Sequence, residues 1–304
     1  MGRYVSGDAP AADEMVAQAV KGIGEEIDRL GIEGLEGVVL GGGYGRGEGG
    51  AYVGASAASR SPLSNDLDFF VIAAENSTKA QRAAMSEALG GVSREWSDKL
   101  GIDVDFCTPK TPGRMKRDGS CLMIQELLHG YADVAGEKGE TMFAAIERID
   151  SGRLPVSEAA RLLMNRGAGL LLARDAMAGG AEGDFVPRNI NKCVLGAFDA
   201  RLIIKGQYKW RQKERVATLG ETLYAAAAEW KSRPRPEPVC DWRTAKEEWF
   251  KTWEMLPPRL GIQPPITMFT LLGRLALKMI AGRMNSEQGA FVGSPAHRLW
   301  KRLS

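Results

Sequence analysis

Val38-Val39-Leu40-Gly41-Gly42-Gly43-Tyr44-Gly45-Arg46-Gly47-Glu48 opens the stretch that decides the fold. Ser64-Asn65-Asp66-Leu67-Asp68-Phe69-Phe70-Val71-Ile72 continues it, and Ile102-Asp103-Val104-Asp105-Phe106 closes it. An apolar run that enters a glycine-packed turn reads as a strand ending in bare backbone. In the two later segments acids alternate with apolar residues. Successive strand side chains point to opposite faces, so Asp66 and Asp68 share one face while Leu67 and Phe69 share the other. Asp103 and Asp105 pair in the same way. Two carboxylates on one face of an apolar strand are costly to bury unless a positive charge sits between them. A divalent metal meets that need. Oxygen-only ligation suits Mg²⁺, which is usually held by one or two carboxylates together with substrate phosphates.

The glycines have two readings. Glycine accepts positive φ without strain, so a permissive turn would explain them. Alternatively, bare backbone N–H groups approach a triphosphate at the start of a short helix. With Asp-x-Asp downstream, the phosphate reading is preferred. Gly45-Arg46-Gly47-Glu48-Gly49-Gly50 formally matches the dinucleotide fingerprint, but that motif must open a helix of ordinary length. Residues 51–64 hold Gly54, four serines and Pro62, which predicts a surface loop instead; the stretch 49–60 is a candidate lid. No Gly-Lys-Ser/Thr follows the glycines, and the kinase signatures His-Arg-Asp and Asp-Phe-Gly are absent.

Over roughly 36–107, about a quarter of the chain, the sequence resembles the nucleotidyltransferases of the DNA polymerase β superfamily. Their pattern is a strand, Gly-Gly or Gly-Ser opening a helix, Asp-x-Asp on the next strand and a third acid on a later one. Gly42-Gly43, Asp66/Asp68 and Asp105 (or Asp103) match those elements. The glycine loop is most similar to that of the uridylyltransferases acting on the PII signalling protein. The interval from Gly43 to Asp66 is longer than the family's, and Asn65 stands where Ser is usual.

The resemblance implies an α+β architecture. A nucleotidyltransferase fold, a small mixed sheet flanked by helices, would occupy 1–112, with an all-α helical-bundle domain over 113–304. It also implies metal-dependent transfer of an NMP group from an NTP, ATP or UTP foremost, to a hydroxyl-bearing acceptor with release of pyrophosphate. The acceptor would be a small molecule or a protein side chain. Asp66, Asp68 and Asp105 would be catalytic and hold two Mg²⁺ or Mn²⁺ ions, with Asp103 as the other candidate for the third carboxylate. Gly42, Gly43, Tyr44 and Arg46 would bind the nucleotide, joined by Lys192 from the helical domain. Fold alone does not fix function, so the alternative is a catalytically inactive nucleotide-binding regulatory protein of the same fold.

The rest of the chain is consistent with this division. At 304 residues with 44% apolar composition it reads as a soluble, globular chain large enough for two cores. Helical spacing predicts helices over 11–30, 78–100, 118–130, 156–177, 189–210, 242–253 and 266–284, the last a candidate bundle core. Residues 1–10 are expected to fray. Pro109 and Pro112 break the chain in a basic linker, where the domain boundary is drawn. The formal charge of +2 does not by itself indicate a nucleic-acid partner. The stretch 201–215, with six basic residues, Tyr208 and Trp210, offers a weaker RNA-binding reading. Four scattered cysteines fit reduced thiols and a cytoplasmic location. Two histidines, His129 and His297, provide little for a zinc site or a histidine triad. No signal sequence and no run of membrane-spanning length is evident, so no membrane partner is expected.

Overall fold

The structure is a computed structural model and describes residues 2–52, 61–180 and 183–256. The expected helix over 266–284, His297 and most of the candidate lid lie outside the described residues. In chain order the elements are α1 (Pro10–Leu30), β1 (Leu35–Leu40), α2 (Gly42–Gly45), β2 (Leu67–Ala73), α3 (Lys79–Leu100) and β3 (Val104–Phe106). There follow α4 (Pro112–Arg117), α5 (Leu122–Leu128), β4 (Ala132–Gly136), α6 (Gly139–Met142) and a 3₁₀ turn (Ser151–Arg153). The chain continues through α7 (Val156–Ala178), α8 (Phe185–Ile204), α9 (Gln212–Leu219), α10 (Thr222–Ser232) and α11 (Trp242–Glu254). The chain is α+β, and its compact units divide after Arg148, with Lys231–Pro234 returning to the first.

The first unit is built on a four-stranded mixed sheet ordered β3-β2-β1-β4. β1 runs antiparallel to β2 and to β4, whereas β2 and β3 are parallel. Both faces are covered. Val16, Val20, Ile23 and Ile27 form the buried stripe of α1 and pack with Leu89 and Val92 of α3 in the first unit's core. Leu67, Phe69 and Val71 meet the α1 side, while Val39, Phe70 and Ile72 meet Ile124, Leu127 and Met142 on the other. Each fully buried aliphatic side chain contributes about 1.5–3 kcal/mol, so the sandwich is held mainly by this alternation. Gly24 lets α1 sit close to β4, since a Cβ there would lie 2.4 Å from the Val134 carbonyl oxygen. α3 starts at a capping box in which Thr78 and Gln81 exchange side chain-to-backbone bonds.

Two features differ from the sequence reading. The described part of the segment expected to fray, residues 2–10, is tied down: the Asp13 carboxylate accepts the N–H groups of Arg3 (3.0 Å), Tyr4 (2.7 Å) and Val5 (2.9 Å). Tyr4 and Val5 are buried as a result. Burial alone would raise the Asp13 carboxyl, but the three backbone donors outweigh it and hold it below the usual carboxylate range. The second difference is β4. The expected helix over 118–130 is confined to α5, and the chain then returns as a strand beside β1, so everything from 113 to 148 belongs with the sheet.

Among its described residues the second unit is helical and contains no strand. α7 and α8 pack along each other, and α11 lies against both. Trp242 and Trp249, seven residues apart on α11, donate their indole N–H groups to the carbonyls of Leu170 and Leu163, seven apart on α7, each at 2.8 Å. The pairing is reversed in order, so α11 runs antiparallel to α7. A buried ion pair joins Arg215 Nε to Asp199 Oδ1 at 3.0 Å, and the Tyr224 hydroxyl donates to the same oxygen. Among the described residues no helix is long and apolar enough to cross a membrane.

Candidate nucleotide and metal site

β1 delivers the chain to the end of the sheet at which β2 and β3 begin. Leu40 pairs with Phe69, and the Gly41 N–H donates to the Asp68 carbonyl at 2.8 Å, extending the ladder by one residue. That bond fixes Gly42 directly against the Asp68 side chain. Gly42 has φ +61°, and a Cβ there would lie 2.3 Å from Asp68 Oδ2. Only glycine meets both conditions, the left-handed backbone and the contact with the carboxylate. Gly42, Gly43 and Tyr44 form the first turn of α2, where backbone N–H groups have no partner within the helix. Gly41, at the cap position, has no side chain to accept them.

Asp68 and Asp105 are direct partners in the parallel β2–β3 register, and both are exposed. The next pair, Phe69 and Phe106, stacks with ring centroids 5.0 Å apart. β3 is a three-residue edge strand, and α3 secures it. Ser93 Oγ donates to the Val104 carbonyl at 2.6 Å, and the Val104 N–H donates to Ser97 Oγ at 2.9 Å. Asp66 precedes β2 by one residue and is half-buried. Asp103 precedes β3, is exposed, and accepts the Leu67 N–H on its carbonyl at 2.9 Å. The acid that the sheet sets across from Asp68 is therefore Asp105.

Tyr44 has a different part from the one expected. Its side chain is 1% exposed, which removes the ring from any ligand. The hydroxyl donates to the Gly50 carbonyl at 2.8 Å and accepts the N–H groups of Ser64 (3.2 Å) and Asn65 (3.4 Å). It thus ties the glycine loop to the approach to Asp66 and Asp68. Burial, against those two donors, pushes the hydroxyl pKa up to about 12.

Arg46 is likewise internal, its side chain 8% exposed, and it reaches Glu48 and Glu126 of α5, each at 3.4 Å. Glu48 is two residues along the same loop, whereas Glu126 comes from a distant helix. The N-terminal segment supports the far side of the loop. The Gly49 N–H donates to the Tyr4 carbonyl (3.0 Å) and the Ser6 N–H to the Gly49 carbonyl (2.8 Å). No local motif marks these supports. The one readable signal is a tyrosine inside a glycine run, a large side chain where only backbone is needed.

Lys192 lies on α8 in the second unit and is half-buried. Asp199, on the same helix, is engaged by Arg215 and Tyr224. Within the stretch 201–215, Arg201 is held by Glu248 at 2.6 Å and Arg215 is 1% exposed, so two of its cations are internal.

The donor chemistry fits one hard divalent ion. Asp68 and Asp105 supply two adjacent, exposed carboxylates, and such an ion completes its shell with water and phosphate oxygens. Among the described residues no group of three His, Cys, Asp or Glu side chains is gathered to hold a metal ion unaided. A scan against protein-family models finds no match for this chain, and a search of curated proteins returns none.

Proposed function

We propose that this protein is a metal-dependent nucleotidyltransferase that moves an NMP group from an NTP to a hydroxyl-bearing acceptor with release of pyrophosphate. One observation carries the reading: Asp68 and Asp105 stand opposite each other with the Gly42 backbone packed on the Asp68 carboxylate. A phosphate donor surface and a carboxylate pair thereby share one edge of the sheet. Gly42 and Gly43 offer backbone N–H groups to the triphosphate. Asp68 and Asp105 would hold a divalent ion, with Asp66 one residue before β2 on the approach to them. Mg²⁺ or Mn²⁺ bound there with the NTP would offset phosphate charge and lower the pKa of the acceptor hydroxyl. Asp105 is the acid assigned to receive the acceptor's proton. Tyr44, Arg46 and Asp13 act indirectly, by holding the loop.

The test is label transfer and pyrophosphate release from each of the four NTPs, with Mg²⁺ or Mn²⁺, in wild type and in Asp68→Ala and Asp105→Ala. Label carried to the protein or to an added extract, and lost in both variants, is the expected result. NTP binding without turnover under any acceptor would replace the enzyme by a nucleotide-binding regulatory protein. No NTP binding would end the reading.

A further inference from the structure

In the second unit the end of α7 and the start of α11 border an open surface cavity of about 540 Å³. Arg174 and Met177 line it from α7, and Asp241, Trp242, Arg243 and Lys246 from the other side. Three of these six side chains are cations. The single carboxylate, Asp241, is already committed, since it accepts the Thr244 N–H at 2.7 Å. Arg243 and Lys246 are three apart on one helix, a spacing that brings like charges together at a cost. The Trp242 indole is fixed in orientation by its bond to the Leu170 carbonyl. The Arg174 guanidinium lies 5.1 Å from the Trp242 ring centroid and Lys246 Nζ 5.3 Å from it. Cation–π contact offsets part of the mutual repulsion, but it leaves the lining with two more positive than negative charges.

We infer that this cavity binds a small phosphorylated molecule, with Arg174, Arg243 and Lys246 on the phosphate and Trp242 as a flat apolar wall. The charge count selects the ligand class. A monocarboxylate would leave one positive charge of that excess uncompensated, whereas a phosphate dianion matches it. Guanidinium groups present paired donors that suit phosphate oxygens, and the lysine adds a point charge. The volume lies in the range used by small-molecule ligands. A nucleic-acid strand would instead need a groove or stripe of positive charge.

This site is separate from the carboxylate pair, and its test avoids the metal chemistry. The full chain is titrated calorimetrically with pyrophosphate, and with inorganic phosphate, in the presence of EDTA. Saturable one-to-one binding is expected, weakening as salt rises. Arg174→Gln/Arg243→Gln should lose about tenfold or more in affinity, the scale of one lost charge-assisted hydrogen bond or above. Both arginines are exposed, and an unchanged melting temperature verifies that the variant is folded. As an independent readout, acetic anhydride labelling followed by mass spectrometry should find Lys246 protected by pyrophosphate and Lys209 not. Asp68→Ala should retain the binding. Absence of saturable binding and of Lys246 protection would overturn the inference. So would affinity that is indifferent to the arginine substitutions, or binding abolished by Asp68→Ala.

Discussion

Gly42→Ala probes the contact on which the candidate site rests, and its cost separates into two parts. At φ +61° an L-residue pays about 1–2 kcal/mol for left-handed backbone. The new Cβ would also lie 2.3 Å from Asp68 Oδ2, so the carboxylate must turn off its rotamer, at about 0.5–1.5 kcal/mol. The sum is about 1.5–3.5 kcal/mol in the wild-type background. In Asp68→Ala the backbone part remains and the carboxylate part disappears, so the same substitution should cost about 1–2 kcal/mol. Urea unfolding of the four proteins, followed by circular dichroism, closes the double-mutant cycle. The expected coupling is about 1 kcal/mol, outside the 0.3–0.5 kcal/mol within which independent sites add. Equal costs in the two backgrounds would refute the reasoning, because Gly42 would then owe nothing to Asp68.

Tyr44→Phe removes a hydroxyl that serves three backbone groups and should destabilise the protein by about 1–3 kcal/mol at neutral pH, measured by the same unfolding assay. Its pH signature follows from a folded-state value of about 12, above the ordinary value of 10.0. The neutral hydroxyl is the form the fold favours, so its contribution is complete below pH 10 and is lost as pH climbs towards 12. Two units correspond to about 2–3 kcal/mol. Wild type should therefore lose that much more stability over this window than Tyr44→Phe, and parallel pH profiles would contradict the buried assignment. Gly24→Ala sets local preference against packing. Helix propensity favours alanine by about 1 kcal/mol, but its Cβ would meet the Val134 carbonyl oxygen at 2.4 Å. With overpacking typically costing about 1–3 kcal/mol, a net loss of about 1 kcal/mol is expected in thermal unfolding. A gain in melting temperature would mean that α1 does not seat on β4 as described.

The parts of this molecule that were legible in the sequence are those with a period. Leu67, Phe69 and Val71 alternate with Asp68 and Phe70, and that pattern alone gave the faces of β2. Met15 to Leu30 and Ala84 to Leu100 carried helical spacing, and both segments are helices. β4 was missed because Ala132-Asp133-Val134-Ala135-Gly136 is short, has little β-branched content and sits between Gly130 and a charged turn. The prolines at 109 and 112 then looked like a boundary. In fact Pro112 begins α4, a position proline tolerates because the first helical N–H is unpaired anyway. The supports of the glycine loop were hidden for a different reason. Arg46 finds Glu126 eighty positions away, and the donors to the Tyr44 hydroxyl are backbone N–H groups twenty and twenty-one residues on. Backbone partners leave no trace in residue identity, so no pattern could have announced them.

The return of Lys231–Pro234 to the first unit has a consequence for how the chain is made. The Ala51 N–H donates to the Ser232 carbonyl at 3.0 Å, so the strip beside the glycine loop is finished by a piece emerging roughly 180 residues later. At a typical elongation rate of about 5–20 residues per second, that backbone group waits about 10–40 s on the ribosome for its partner. A fragment stopped at residue 148 would carry every strand of the sheet and still lack this closing piece. Residues 149–230 are, in effect, a parenthesis in the sentence of the first unit, and the loop at the candidate site is completed only when that parenthesis closes.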